Sequence, residues 1–435
     1  MEWYIIAIII GAIMLIALAS GMPVAFVLGA IGLAGFWLVA GEEAALSLLA
    51  TTAYRVSTQF TLCAVPLFVL MAEVILFTGL GDEAYEVLSK WVGHLPGGLA
   101  IASIYTCAIF GCVSGASTVA VLTIGLVAIE EMIRRNYSGT LAAGSIAAAG
   151  ALAILIPPSI LMIIYSVVAE VSIGDLFIAG FIPGIILATL MAIYVVIRVI
   201  KSPELAPRVP KVPLNVRMTA LPNLAGVLIL GTIVLGVIYT GVCTPTEAAG
   251  MGATGALVLS ILHKRLKWHL LLDAIRRTVQ TTVFILMIIT GAWIFTYLLT
   301  ILDIPQNLSA FVAGLPVSRW VILILMQVTI GILGMFMEGG SIILLTCPVF
   351  IPIVVALGFD KVWFGILFTI NLEMGMITPP FGFNLFVMHS IVKPYGMTMG
   401  DVIKGSLPFL LAEVGCMAIV MVFPKIALFL PSLMK

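Results

Sequence analysis

The amino-acid sequence predicts an all-α polytopic membrane protein built from two inverted-topology repeats, each holding a re-entrant hairpin and a proline-broken helix. Three observations lead there. Hydrophobic residues make up 62% of the 435 and charged residues only 9%, with a mean hydropathy of +1.26, values that a water-soluble domain does not reach. Two apolar stretches, Leu155-Ile156-Pro157-Pro158-Ser159 and Asn371 to Leu385, carry adjacent prolines near their middles. The segments around those prolines follow the same order in both halves of the chain.

Composition also narrows the function classes. A transmembrane barrel has short alternating segments, whereas these apolar runs are ~17 to 25 residues long. Net charge is zero, and no basic patch dense enough for nucleic acid exists. Cys63, Cys107, Cys112, Cys243, Cys347 and Cys416 are scattered singly and read as small buried hydrophobes. The four histidines are likewise unclustered, which argues against zinc or haem chemistry.

Taken in order, residues 1–60 hold a first span at ~3–20, read as retained because no basic leader precedes it. A tight break at Ser20-Gly21-Met22-Pro23 follows, then a second span at ~24–40 whose Gly29, Gly32 and Gly35 permit close helix contact. A more polar segment at ~42–59 is read as interfacial. Residues 61–176 form the first repeat unit: a span at ~61–79, an amphipathic stretch from Asp82 to His94, an apolar region at ~98–130 and a broken helix at ~139–170. The ~98–130 region is too long for one ordinary span and is interrupted by small residues from Gly111 to Thr118. It is open to reading as one tilted helix or as a re-entrant hairpin, and the hairpin is favoured. Adjacent prolines remove backbone donors and disfavour helix just before them, so the broken helix should unwind at Pro157-Pro158.

Residues 177–277 contain spans at ~177–199, ~222–242 and ~246–262, with two basic linkers, Arg198 to Arg217 and Lys264 to Arg277. Residues 278–391 replay the first unit. Phe284 to Met287 echoes Phe68 to Met71, a hairpin at ~318–357 breaks at Glu338-Gly339-Gly340-Ser341, and a broken helix at ~363–391 unwinds at Pro379-Pro380. Residues 392–435 supply a terminal span at ~406–428. The two basic linkers are joined by two crossings, so both are cytoplasmic under the positive-inside rule. Counting from them gives about ten crossings plus two hairpins, both termini outside, with the repeats in opposite orientation. Inverted repeats with broken helices near the midplane point to a secondary transporter, the two hairpin tips and two breaks converging on one site.

Thr244-Pro245-Thr246-Glu247-Ala248-Ala249, Ser114-Gly115-Ala116-Ser117, Ile156-Pro157-Pro158-Ser159 and Thr378-Pro379-Pro380 together resemble the large, DctM-like membrane subunit of TRAP (tripartite ATP-independent periplasmic) transporters. The likeness covers essentially the whole chain. It implies a sodium-coupled, elevator-type importer of organic acids, such as a C4-dicarboxylate, a sugar acid or a related carboxylate. It also implies a DctQ-like small membrane subunit, a DctP-like periplasmic substrate-binding protein, and a multi-pass location in the bacterial or archaeal cytoplasmic membrane, the inner membrane of a Gram-negative cell. In that picture 61–176 and 278–391 are the moving transport unit, and 1–60, 177–277 and 392–435 are the scaffold. A stand-alone sodium/divalent-anion symporter is the alternative within carriers, and an ion channel the alternative from another class. A membrane enzyme would need an acid, base or metal cluster that the few ionisable groups do not supply.

Residue types indicate where about two sodium ions would sit, since sodium wants about five or six oxygens and broken helices offer carbonyls beside Ser and Thr hydroxyls. The first candidate site joins Ser114, Gly115, Ser117 and Thr118 to the carbonyls at Ile156 and Pro157. The second joins Gly339, Gly340 and Ser341 to Thr378 and Pro379, with Glu338, an acidic position in the family resemblance, tuning it directly or through water. Helix N-termini after the breaks would point positive ends at a substrate carboxylate. Ser159, Tyr165, Glu373 and Asn384 are the substrate candidates, with helix packing an equal reading for Tyr165 and Asn384. Glu373 departs from the small or apolar residue expected of the family before its Thr-Pro-Pro break. It is open to three readings: a neutral packing residue, a proton-linked group or a selectivity element. Glu247 reads as a helix cap.

Overall fold

Inside a bilayer the backbone has no water to bond, so apolar runs satisfy themselves as helices. The computed structural model describes residues 2–434, the side chains of 80–82 and 313 excepted, and among the described residues all regular structure is helical. Six helices are long and apolar enough to cross a membrane, and a seventh span arises if the bent pair Gly139–Leu155 and Ile160–Ala169, which turns by 44°, is one span. Several apolar helices are shorter, including the 17-residue Trp3–Ala19 and Val24–Ala40.

The chain opens with Trp3–Ala19, Val24–Ala40 and Glu42–Thr58, then Ala64–Thr78. The glycine face of Val24–Ala40 lies on the 34-residue helix Trp268–Ile301. A Cβ on Gly32 would stand 2.7 Å from the Phe295 nitrogen, so glycine permits the crossing. The amphipathic stretch is the helix Leu80–Val92, which packs on Gly98–Ser114 and Leu214–Tyr239. Arg265, from the second basic linker, holds its start: the guanidinium donates to the Gly79 carbonyl at 3.0 Å and pairs with Glu83.

The first hairpin consists of Gly98–Ser114 and Ser117–Arg134, joined by Gly115 and Ala116. The first broken span runs Gly139–Ala149, Leu152–Leu155, then residues 156–159 out of helix, then Ile160–Ala169. Ile173–Lys201, Leu214–Tyr239 and Pro245–Leu262 follow. The last opens with a capping box in which Glu247 accepts from the Thr244 amide at 2.8 Å and returns its own amide to the Thr244 hydroxyl at 3.3 Å. The second hairpin is Arg319–Gly334 with Gly339–Ala356, and the second broken span is Lys361–Met376 with Phe383–Val392. Met399–Ser406, Leu410–Val422 and Lys425–Ser432 complete the chain.

Two boundaries differ from the sequence reading for a physical reason. The span expected from ~222 begins at Leu214, because the helix carries Pro222 in its interior, as membrane helices tolerate. Residue 278, expected to open a unit, lies inside the continuous helix Trp268–Ile301. The core sits where the hairpins and broken spans interlock: residues 141–156 are buried throughout, whereas Trp3–Ala19 has no buried residue.

Candidate functional site

Each hairpin tip rests on the proline break of its own half. At the first tip, Gly115 turns the chain with φ +61, and a Cβ there would meet the Pro158 carbonyl oxygen at 2.6 Å. The Ile160 amide donates to the Gly115 carbonyl at 3.4 Å. At the second, the Phe381 amide donates to the Met335 carbonyl at 3.2 Å, with the Phe336 and Phe381 rings 6.2 Å apart. Both Pro157-Pro158 and Pro379-Pro380 are cis peptides.

The halves also cross over. Gly339 and Gly340 pack against Leu161 and Ile164 of the first broken span. Lys361, which starts the second broken span, donates its ammonium to the Ala169 carbonyl at 2.7 Å and receives the Tyr165 hydroxyl on its own carbonyl at 2.7 Å. Ser117, at the first tip, donates to Glu373 Oε2 at 3.0 Å, and Asn384 Nδ2 donates to Ser117 Oγ at 2.7 Å. Residues 373 and 384 flank the second break, so one hydroxyl joins the first hairpin to both halves of the second broken span.

Of the first sodium candidates, Ser114, Gly115 and Ser117 are buried at the tip beside the buried Ile156 and Pro157, with Thr118 half-buried. Ile156 and Pro157 also line an apolar cavity of about 540 Å³ toward Leu214–Tyr239. Of the second set, Gly339, Gly340 and Ser341 are buried at the helix start, and Thr378 and Pro379 are half-buried at the break. Glu338 is the N-cap of that helix: its oxygens accept the Gly340 and Ser341 amides at 3.0 and 3.2 Å. Thr378 returns its hydroxyl to the Met374 carbonyl at 2.6 Å.

The four substrate candidates separate. Ser159 is buried and caps Ile160–Ala169, accepting the Met162 amide at 3.4 Å. Tyr165 packs its ring against Phe368 and bonds Lys361 as above. Glu373 and Asn384 instead join Ser117. Sequence reasoning missed Glu413, fully buried on Leu410–Val422 with both carboxylate oxygens unpartnered. A lone acid within an apolar span was the available signal. Among the described residues, the four ion pairs all lie elsewhere, so neither Glu373 nor Glu413 has a basic partner.

Residues 11–426 match the family described as tripartite ATP-independent periplasmic transporter, DctM component. The chain is 36% identical over 387 residues to the C4-dicarboxylate TRAP transporter large permease protein DctM of Pseudomonas aeruginosa, covering 88% of this chain and 89% of that one. It is 32% identical to the ectoine TRAP transporter large permease protein TeaC of Halomonas elongata, covering 97% and 98% of the two. With the sialic acid TRAP transporter large permease protein SiaM of Vibrio cholerae it shares 30%, covering 96% of each. The YdaH transporter of Alcanivorax borkumensis shares the fold at a TM-score of 0.61 and 16% identity, over 88% of this chain and 90% of that one.

Proposed function

This chain belongs to the tripartite ATP-independent periplasmic transporter family as a DctM component, and from that membership we propose that it is the large permease of a sodium-coupled importer of organic acids. It is a multi-pass protein of the cytoplasmic membrane, and its named relatives are transporter permeases. On this reading it is a secondary active carrier that works with a small membrane subunit and receives substrate from a periplasmic binding protein. The relatives are named for C4-dicarboxylates, ectoine and sialic acid. A C4-dicarboxylate, a sugar acid or a related carboxylate is the substrate class we take for this chain.

The observation that carries the reading is the seating of both hairpin tips on both proline breaks, through Gly115 with Ile160 and Met335 with Phe381. Broken helices buried in this way offer carbonyls to a cation, and the half-helices Ile160–Ala169 and Phe383–Val392 begin there with positive dipole ends suited to a carboxylate. An elevator motion of 61–176 and 278–391 against the remainder supplies alternating access. The sequence contains no Walker motif, so the ion gradient provides the driving force.

The test is uptake of labelled organic acids into proteoliposomes holding this chain and its small subunit, with the binding protein outside. Uptake requiring both sodium and the binding protein is expected. Sodium-dependent uptake without the binding protein would indicate a stand-alone anion symporter. Conductance without stoichiometric coupling would indicate a channel.

A further inference from the structure

The Ser117–Glu373–Asn384 cluster carries more than a packing role. Ser117 has one hydroxyl proton, given to Glu373 Oε2, and its oxygen accepts from Asn384 Nδ2. The same Nδ2 donates to the Ala147 carbonyl at 3.2 Å, which sets the amide orientation because a carbonyl only accepts. Two acceptors are left with no donor, Glu373 Oε1 and Asn384 Oδ1, on residues 1% and 0% exposed. The Ser114 hydroxyl, at the same hairpin tip, is buried and unpartnered as well.

The neighbouring helix adds acceptors. Lys361–Met376 packs against Leu410–Val422, and Glu413 on the latter is fully buried with both carboxyl oxygens unpartnered. Two carboxyl groups with three unpartnered oxygens and, among the described residues, no basic residue at ion-pair distance make a buried centre rich in acceptors. A buried carboxyl group is held ionised when a cation completes the set of acceptors around it. A hard monovalent cation fits a set of carboxylate, amide, hydroxyl and carbonyl oxygens.

We propose that Glu373, Asn384 and Ser117 form a further sodium site, with Glu373 supplying its charge and Glu413 standing behind it, that clamps the first hairpin to both halves of the second broken span. It differs from the two sites joining each tip to its own break, because it crosses from one half of the chain to the other. Filling it pins residues 373 and 384 together across the break; emptying it frees the hairpin. The inference rests on the sodium-coupled reading above.

The experiment titrates sodium, at constant ionic strength against choline, into the large subunit purified with its small membrane partner. Radioactive sodium bound at saturation and the thermal unfolding midpoint are both read. Glu373→Gln and Asn384→Ala should each bind one sodium ion fewer per chain than wild type. Glu373→Asp should keep the count and need about tenfold more sodium for half-saturation. Without sodium, Glu373→Gln should unfold near the wild-type midpoint, since the amide fills the same space as the carboxyl group. Should Glu373→Gln not fold, the Asn384→Ala count decides. An unchanged count and half-saturation in the folded variants overturn this site while leaving sodium coupling intact; a wild type that binds no sodium overturns both.

Discussion

Glu338 shows how a functional candidate can be explained by local geometry. Its two oxygens accept the Gly340 and Ser341 amides, two of the donors that every helix start leaves free. Glu338→Ala is expected to cost about 1 kcal/mol of stability and, by loosening the tip, to weaken sodium binding at the second site. Glu338→Gln keeps one amide acceptor and should recover most of that stability. Thermal unfolding of the two variants side by side checks this, and equal losses would remove the cap as the residue's role. Tyr165 gives the complementary case. Its hydroxyl is committed to the Lys361 carbonyl, so Tyr165→Phe should lower stability by about 1 kcal/mol and leave KM for the organic acid unchanged. A raised KM at unchanged stability would return Tyr165 to the substrate.

At the scale of elements, the hairpin tip depends on Gly115. Alanine there meets both a left-handed backbone and the Pro158 carbonyl at 2.6 Å, whereas Gly21, with φ +82, has open space around the added carbon. Gly21→Ala should therefore cost only the conformational strain of about 1–2 kcal/mol. Gly115→Ala should in addition push the tip off the break and abolish uptake; normal uptake by that variant would separate the tip–break contact from transport. Much of this geometry was legible in the sequence. Paired prolines announce a break because they alter the backbone itself, and Ser-Gly-Ala-Ser between apolar runs announces a tip. The capping box at Thr244 and Glu247 was equally readable, since its partners are three residues apart. The Ser117–Glu373 bond was not, because it links positions 256 residues apart and no local pattern encodes that contact. Glu373 and Asn384 stood out for their polarity within an apolar stretch, but nothing local showed that they share Ser117 as a partner. The start of Leu214–Tyr239 was obscured because Arg217 and Pro222 give that stretch the composition of a linker.

For the whole molecule, the net charge moved per substrate is measurable through voltage. Each net positive charge carried inward across 100 mV contributes about 2.3 kcal/mol, roughly fifty-fold in accumulation. Two sodium ions with one monoanion carry one such charge, and a third sodium raises this to two. The slope of accumulation against imposed potential therefore gives the net charge per substrate, from which the sodium count follows once the substrate's charge is known, and indifference to potential would argue for electroneutral coupling. The motion that couples them can be tested at the contact between the first hairpin and Leu214–Tyr239. A Cβ on Gly231 would lie 3.1 Å from the Cβ of Cys112, slightly inside the ~3.5–4.5 Å spacing of a disulfide, so Gly231→Cys needs a shift of only a few tenths of an ångström to bond the native cysteine. Cys112 lies in the unit assigned to move and Gly231 in the unit assigned to stay. Oxidation of the Gly231→Cys variant should stop sodium-driven uptake in proportion to the fraction cross-linked, and reduction should restore it. Sodium binding should survive, because neither residue touches Ser117, Glu373 or the second tip. Full uptake by a completely cross-linked protein would mean that these two elements travel together, and the boundary between moving and fixed parts would then have to lie on the far side of Leu214–Tyr239.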